Sequence, residues 1–255
     1  MKRVNKTNPC PICNKPDWCL ISDDAAICAR VSEGSKKRCG DAGWLHYLRP
    51  DEQQKAKFVI RDIPQKGPKP DFEKLVKDFQ KRLSTRQLRW LASSLDVSVK
   101  SLQRLGVGWD GSAFSFPMFD EKRNIIGIRR RYGSGQKFAI KGSSNGLFIP
   151  EGLTGRGALI ICEGPTDCAA GLDFGFDAIG RPNCDSRIEM TARFARGRKV
   201  TIIADNDLPG VEGAKKLSRR LIACCPDVKI IVPPIGIKDL RQWKSKGLTW
   251  RAGQK

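Results

Sequence analysis

Acidic side chains follow three apolar runs in the carboxy-terminal part of this 255-residue chain. Glu163 follows the run "ALIIC", and Asp205 follows "VTIIA". A third run, "KIIVPP", comes shortly before Lys238 and Asp239. Apolar runs that alternate with helix-like stretches are typical of a parallel α/β sheet, and ligands bind outside the carboxyl ends of its strands. We therefore expect these side chains to converge at one edge of a sheet.

The spacing of the acids suits a metal site. Asp167 comes one helical turn after Glu163, on the same helix face, and Asp205 and Asp207 are two residues apart, so that both project to one side of an extended backbone. Carboxylates packed together raise each other's pKa unless a cation neutralises them. Mg²⁺ or Mn²⁺ is the expected cation, because such ions bind few protein carboxylates and leave open positions for phosphate. The alternative is that each acid is a turn residue or a helix N-cap.

The charge balance indicates a polyanionic partner. There are 47 Lys and Arg residues against 27 Asp and Glu, which gives a net charge of +20. Such an excess favours nucleic acid as the partner. No apolar run approaches the ~18 residues of a membrane helix, so we expect no membrane partner and a cytoplasmic location.

Five of the ten cysteines lie within the first 39 residues. The tight pair Cys10 and Cys13 is the knuckle that supplies zinc with two thiolates from one turn. The fourth ligand is open between Cys19, Cys39 and His46, the only histidine. The favoured structural zinc site uses Cys10, Cys13, Cys19 and Cys28.

Composition shifts divide the chain into four parts. Residues 1–50 are the cysteine-rich module, and 51–71 read as a linker because proline, glycine and alternating charges dominate the end of this stretch. Residues 72–155 are predicted to form a small helical and β-strand subdomain, and 156–255 an α/β domain.

The helical part and the strands after it carry the remaining predictions. Leu88, Leu91 and Leu95 share one helix face; this segment could also form a DNA-reading helix-turn-helix, but packing is the favoured interpretation. The strand-like "NIIGIRRRY" places Arg129 and Arg131 on the same side.

Three motifs together resemble the toprim fold: "EGPTD" from Glu163, "DNDLPG" from Asp205 and "KD" from Lys238. Bacterial-type DNA primases, type IA and II topoisomerases, RecR-family recombination mediators and some nucleases share this metal-binding module. The segment "GLF" at 146–148, preceded by the basic stretch "GQKFAIKGSSN", resembles the segment before toprim in bacterial and phage primases, which also have an amino-terminal zinc module. The implied fold is a Rossmann-like toprim domain, preceded by the helical and β-strand subdomain and a zinc ribbon-like module.

The resemblance to these primases implies template-directed synthesis of short RNA primers on single-stranded DNA, from ribonucleoside triphosphates and with two divalent cations. The implied principal acids are Glu163, Asp205 and Asp207, with Asp167 and Asp239 in support. Whether Glu163 is a base or a metal ligand stays open. The implied contacts to template and nucleotide phosphates are Arg129, Arg131, Lys137, Lys141 and Lys238.

The resemblance also implies partners and a source. The zinc module would engage the single-stranded template. A replicative helicase or a single-strand-binding protein is the candidate protein partner. The chain stops soon after the third acidic motif, without the helicase-binding domain of cellular primases, which favours replication of a phage or mobile element.

Two other functions compete with a primase. A toprim nuclease or phosphotransferase would need neither the basic stretch nor the zinc module. A non-catalytic RecR-like mediator has its zinc motif close to toprim, whereas here more than a hundred residues intervene. A topoisomerase needs a nucleophilic tyrosine, and Tyr47 and Tyr132, the only tyrosines, lie outside any recognisable motif for one.

Overall fold

The computed structural model describes residues 1–48, 70–155 and 157–247. The chain divides into two compact units, Met1–Gln65 and Lys66–Lys255. Most of the predicted linker, the predicted domain start at 156 and the last eight residues lie outside the described residues. Within them, no helix is both long and apolar enough to cross a membrane.

The amino-terminal unit is one antiparallel sheet of short strands in the order β1-β2-β3-β5-β4. The strands are β1 (Lys2–Arg3), β2 (Leu20–Ile21), β3 (Ala25–Cys28), β4 (Lys37–Arg38) and β5 (Trp44–Tyr47). One buried cluster consists of Val4 and three cysteines. An apolar core this small does not hold a domain together by itself.

Three helices open the second unit: α1 (Phe72–Arg82), α2 (Thr85–Leu95) and α3 (Val99–Arg104). Their N-caps Asp71, Ser84 and Ser98 each accept a backbone N–H bond from the first turn, which satisfies donors that a helix start leaves unpaired. The leucine face predicted on α2 is buried, and it packs in a cluster that reaches both sheets of this unit.

An antiparallel sheet follows, in the order β6-β7-β8-β9. Its strands are β6 (Gly108–Trp109), β7 (Phe114–Phe119), β8 (Ile125–Arg131) and β9 (Lys137–Ala139). Phe114 lies opposite Arg131, and Arg131 lies opposite Lys137. Directly opposed residues share one face of a sheet, so one face of β8 and β9 is basic.

The carboxy-terminal part is a parallel sheet in the order β11-β10-β12-β13. The elements along the chain are β10 (Leu159–Glu163), α4 (Gly164–Asp173), β11 (Asp177–Arg181), α5 (Ile188–Ala195), β12 (Lys199–Ile203), α6 (Leu208–Leu221), β13 (Asp227–Ile231) and α7 (Leu240–Ser245). The predicted α/β class is therefore confirmed. Strand β11 was not anticipated, because "DAIGR" is short and has a charged residue at each end.

A short segment joins the two sheets. Phe119 pairs with Leu147, and Phe148 pairs with Gly180 on β11. Gly180 tolerates no side chain, since a Cβ there would lie 2.2 Å from the carbonyl oxygen of Gly164. The glycine therefore allows β11 to lie close to the turn that follows β10.

Candidate active site

The strand order of the parallel sheet places two acids side by side. After β10 the chain crosses to β11 on one side and then to β12 on the other, so the switch point of the sheet lies between β10 and β12. Glu163 ends β10 at the N-cap position of α4, where its side chain makes no capping hydrogen bond, and Asp205 follows two residues after β12. Ligand sites of open α/β sheets form at such switch points.

Backbone hydrogen bonds orient the other three acids. The Oδ1 atoms of Asp207 and Asp239 cap α6 and α7, where they accept bonds from the N–H groups of Gly210 at 2.8 Å and Gln242 at 2.7 Å. The Oδ1 atom of Asp167 accepts a bond of 3.0 Å from the N–H of Arg241. The N-cap alternative is thus correct for two acids, but it does not exclude a metal role, because each cap uses only one carboxylate oxygen.

Four acids meet five basic residues in a cleft of about 190 Å³, here called the acid cleft. Its charged lining consists of Arg129, Arg131, Lys137, Glu163, Asp167, Asp205, Lys238, Asp239 and Arg241. Asp207 is exposed beside the acid cleft. Burial is the largest cause of the raised pKa of Glu163, and the negative charge of Asp207 is the next. Lys141, in the exposed turn after β9, does not line the cleft.

Burial and mutual repulsion raise the pKa of Asp167 and Asp205. Burial, then the charge of Asp239, raises the pKa of Asp167 from 3.8 to about 7. Burial, then Glu163 and Asp239, raises the pKa of Asp205 from 3.8 to about 7. Divalent cations would relieve this repulsion, so the donor set fits a hard cation with oxygen ligands.

Burial also affects the basic side chains of the acid cleft. Burial lowers the pKa of Arg129 and Arg131, and burial followed by repulsion from Arg131 lowers that of Lys137. The Nη2 atom of Arg129 donates to Asn145 at 3.2 Å, whereas its Nε is shielded from water and has no hydrogen-bond partner among the described residues.

Three residues of the site were missed from the sequence. Arg181 ends β11 directly opposite Glu163, is 4% exposed, and its charge opposes the rise in the pKa of Glu163. The Nδ2 atom of Asn206 lies 3.1 to 3.2 Å from three carbonyl oxygens in the loop before α7, which fixes the "DND" turn. Arg241 binds Asp167 through its backbone. Only the motif "DND" could have drawn attention to Asn206.

The four favoured cysteines form a separate cluster in the amino-terminal unit. The sulfurs of Cys10, Cys13, Cys19 and Cys28 all lie within 4.8 Å of one another. Cys13 and Cys19 are 3.7 Å apart, and Cys19 and Cys28 are 4.0 Å apart. Tetrahedral zinc with Zn–S bonds of ~2.3 Å requires sulfur separations of about 3.8 Å, so the cluster fits structural zinc.

Backbone donors also prepare these sulfurs to carry negative charge. The N–H groups of Ala29 and Val31 donate to Cys19 and Cys28 at 3.4 and 3.3 Å. Although burial works against it, hydrogen bonds from Lys15 and the other thiols lower the pKa of Cys13 to about 7. Burial raises the pKa of Cys19 to about 12, and zinc on binding would remove that proton.

The remaining zinc-ligand candidates lie apart from this cluster. His46 is buried on β5, and its Nε2 is 2.9 Å from the carbonyl oxygen of Val31. Cys39 precedes the 3₁₀ turn Gly40–Ala42. Neither belongs to the group of four sulfurs.

No family model matches the chain, and no curated protein matches it. Several solved structures do. A DnaG catalytic core aligns with 68% of this chain and 74% of its own, at 16% identity and a TM-score of 0.55. The chain has the fold of a primase catalytic core.

Two further primase structures show the same relationship. A DnaG catalytic domain bound to single-stranded DNA has a TM-score of 0.54 at 15% identity, covering 69% of this chain and 74% of its own. The zinc-binding and RNA polymerase domains of Aquifex aeolicus primase give 0.55 at 14% identity, covering 69% and 57%. The resemblance inferred from the toprim motifs is thus confirmed at the level of the primase fold.

Proposed function

We propose that the chain is a DNA primase that joins ribonucleoside triphosphates into short RNA primers on single-stranded DNA. The observation that carries the proposal is the acid cleft, where acids at the carboxyl edge of the parallel sheet face Arg129, Arg131 and Lys137 on the antiparallel sheet. The likeness of 68 to 69% of the chain to the fold of primase catalytic cores supports it.

The acids would hold two divalent cations. Glu163, Asp205 and Asp207 are the proposed main ligands, with Asp167 and Asp239 in support. Two divalent cations held there would activate the attacking 3′-hydroxyl and stabilise the pyrophosphate leaving group. Arg181 keeps a fixed positive charge behind Glu163, which favours the ionised carboxylate that either a ligand or a base requires.

The basic face would bind phosphates. Arg129 and Arg131 project toward the acids from alternate positions of β8, and Lys137 lies opposite Arg131. Such contacts hold a strand or a triphosphate without reading its sequence. Lys238, at the opposite wall of the cleft, is placed to contact the same phosphates, whereas Lys141 would contact the strand outside the cleft.

We assign the zinc module a template role and residues 72–255 a catalytic one. In this proposal residues 1–50 fold around zinc and engage single-stranded template, and 51–71 act as the linker. Residues 72–155 supply the basic face, and 156–255 supply the toprim acids.

The decisive test is primer synthesis. The zinc-loaded full chain is incubated with single-stranded template, labelled ribonucleotides and Mg²⁺ or Mn²⁺. We expect short oligomers that require both template and divalent cation. Cleavage of the template without synthesis would instead identify a nuclease, and DNA binding with neither reaction would identify a non-catalytic mediator.

A further inference from the structure

An exposed tryptophan stands near the basic face of the antiparallel sheet. Trp90 on α2 is 53% exposed. It lies outside the buried stripe formed by Leu88, Leu91 and Leu95, and that stripe already anchors the helix to the core. The indole is therefore not needed to attach α2 to the rest of the unit.

The indole ring is nevertheless held in a defined orientation. It stacks on Phe114 with 5.8 Å between ring centroids and an interplanar angle of 10°. Phe114 is 3% exposed and is held from another side by Trp109, edge-on at 5.0 Å. Trp90 and the buried Phe114 on which it stacks are here called the Trp90 platform, in which the indole ring presents a preorganised aromatic surface to solvent.

Basic residues neighbour the Trp90 platform both across the sheet and along α2. Phe114 lies directly opposite Arg131, which belongs to the basic face of the acid cleft. Arg86, one turn before Trp90 on α2, and Arg89, next to Trp90, are exposed. Neither of these two arginines has an ion-pair partner among the residues that the structure describes.

We propose that Trp90 stacks on a base of single-stranded nucleic acid. The phosphates next to that base would contact Arg86 and Arg89 on one side and Arg131 on the other. Aromatic rings between positive charges bind single strands without sequence preference, because every base has a π-face. That the bound strand continues toward the acid cleft rests on the proposed function. The stacking contact itself does not depend on any catalytic activity.

The test separates bases from phosphates. Affinity of the full zinc-loaded chain is measured by fluorescence anisotropy for oligo(dT) and for an abasic oligonucleotide with the same length and phosphates. Loss of one stacked base costs about 5- to 150-fold in affinity. We therefore expect Trp90→Ala to reduce the preference for oligo(dT) about tenfold and to leave abasic binding unchanged.

Two variants serve as controls. Trp90→Phe keeps an aromatic face and should retain most of the preference. Ile222→Ala removes an apolar side chain that is 67% exposed beyond the far end of α6, and it should retain all of it. An unchanged preference in Trp90→Ala, or an equal loss on both oligonucleotides, would overturn the proposal.

Primer synthesis is scored separately, so that the two proposals can fail independently. Asp205→Asn should lose synthesis and keep the preference that depends on Trp90. If the wild-type chain makes no primer but Trp90→Ala still loses the preference, the Trp90 platform stands and the primase proposal fails. If primers form and the preference does not depend on Trp90, the primase proposal stands and the Trp90 platform fails as a base-binding site.

Discussion

At the scale of single residues, Asp205 and Asp207 allow charge to be removed at nearly constant volume. Asparagine also caps helices well, so Asp207→Asn should keep the start of α6. We expect either Asn variant to lower primer synthesis about 100-fold or more, because the metal ions contribute several kcal/mol of transition-state stabilisation.

The matched control for these two acids is Asp227→Asn. Asp227 begins β13, at the opposite edge of the same sheet. The Asp227→Asn variant should synthesise primers at the wild-type rate. All three variants should show the circular dichroism spectrum of the wild type. Full synthesis by Asp205→Asn or Asp207→Asn would contradict the metal assignment.

Lys137 tests the basic face. Each phosphate contact on a single strand contributes about 0.7 to the slope of log affinity against log salt. Lys137→Ala should therefore reduce the magnitude of that slope by about 0.7, whereas Lys229→Ala, an exposed position on the edge strand β13, should leave it unchanged. Equal slopes for the wild type and Lys137→Ala would exclude a phosphate contact by this lysine.

At the scale of elements, the zinc cluster replaces a core. Because the buried apolar cluster of the amino-terminal unit consists of only Val4 and three cysteines, metal binding and folding should be one event. Chelation should expose the backbone amides up to residue 48 to hydrogen exchange and leave residues 72–247 protected. Retained protection in the first 48 residues would refute this coupling.

The choice of ligands can be measured by zinc content. Cys19→Ser should lose the metal, whereas His46→Ala and Cys39→Ser should each keep one zinc per chain. The reason is that His46 in the wild type pairs with the carbonyl oxygen of Val31 and is not one of the four proposed ligands. Zinc lost from His46→Ala and kept by Cys19→Ser would reverse the assignment.

The sequence patterns predicted some elements and concealed others. Apolar runs reveal β10 and β12, because a parallel strand covered by helices on both faces is apolar over most of its length. The run in "KIIVPP" also reveals β13, although this edge strand has no buried residue. Apolar runs do not reveal β11, which ends in Arg181. A charged residue is read as exposed, and its burial opposite Glu163 depends on strand pairing that no local pattern encodes.

The site shows the same division. The acids were predicted because each follows the end of a strand, and Arg129 and Arg131 were paired by strand alternation. The separate position of Lys141 follows from where β9 ends, and the role of Asn206 follows from a loop more than twenty residues away. Both depend on tertiary structure.

At the scale of the whole molecule, the raised carboxyl pKa values predict a stability that depends on pH. Between pH ~4 and ~7 folded Asp167 and Asp205 keep protons that the unfolded chain releases. The free energy of unfolding should therefore fall as pH rises through this window and level off above it.

Magnesium should reverse this loss. It binds the ionised carboxylates of the folded state, so it should raise the melting temperature more at pH 8 than at pH 5. Asp205→Asn should be more stable than the wild type at pH 8 without magnesium, and magnesium should stabilise it less. Equal melting temperatures at pH 5 and pH 8 in magnesium-free wild type would contradict the charge repulsion in the cleft.

The segment that joins the two sheets has a consequence for protein engineering. Phe148 pairs with Gly180, and one buried cluster contains Leu91 of α2, Phe116 of β7 and Ile160 of β10. The parallel sheet that carries the acids therefore cannot be moved by itself to another protein. A chimera that grafts only its strands and helices onto another scaffold would leave this shared apolar surface uncovered, so recombination breakpoints belong before α1 rather than before β10.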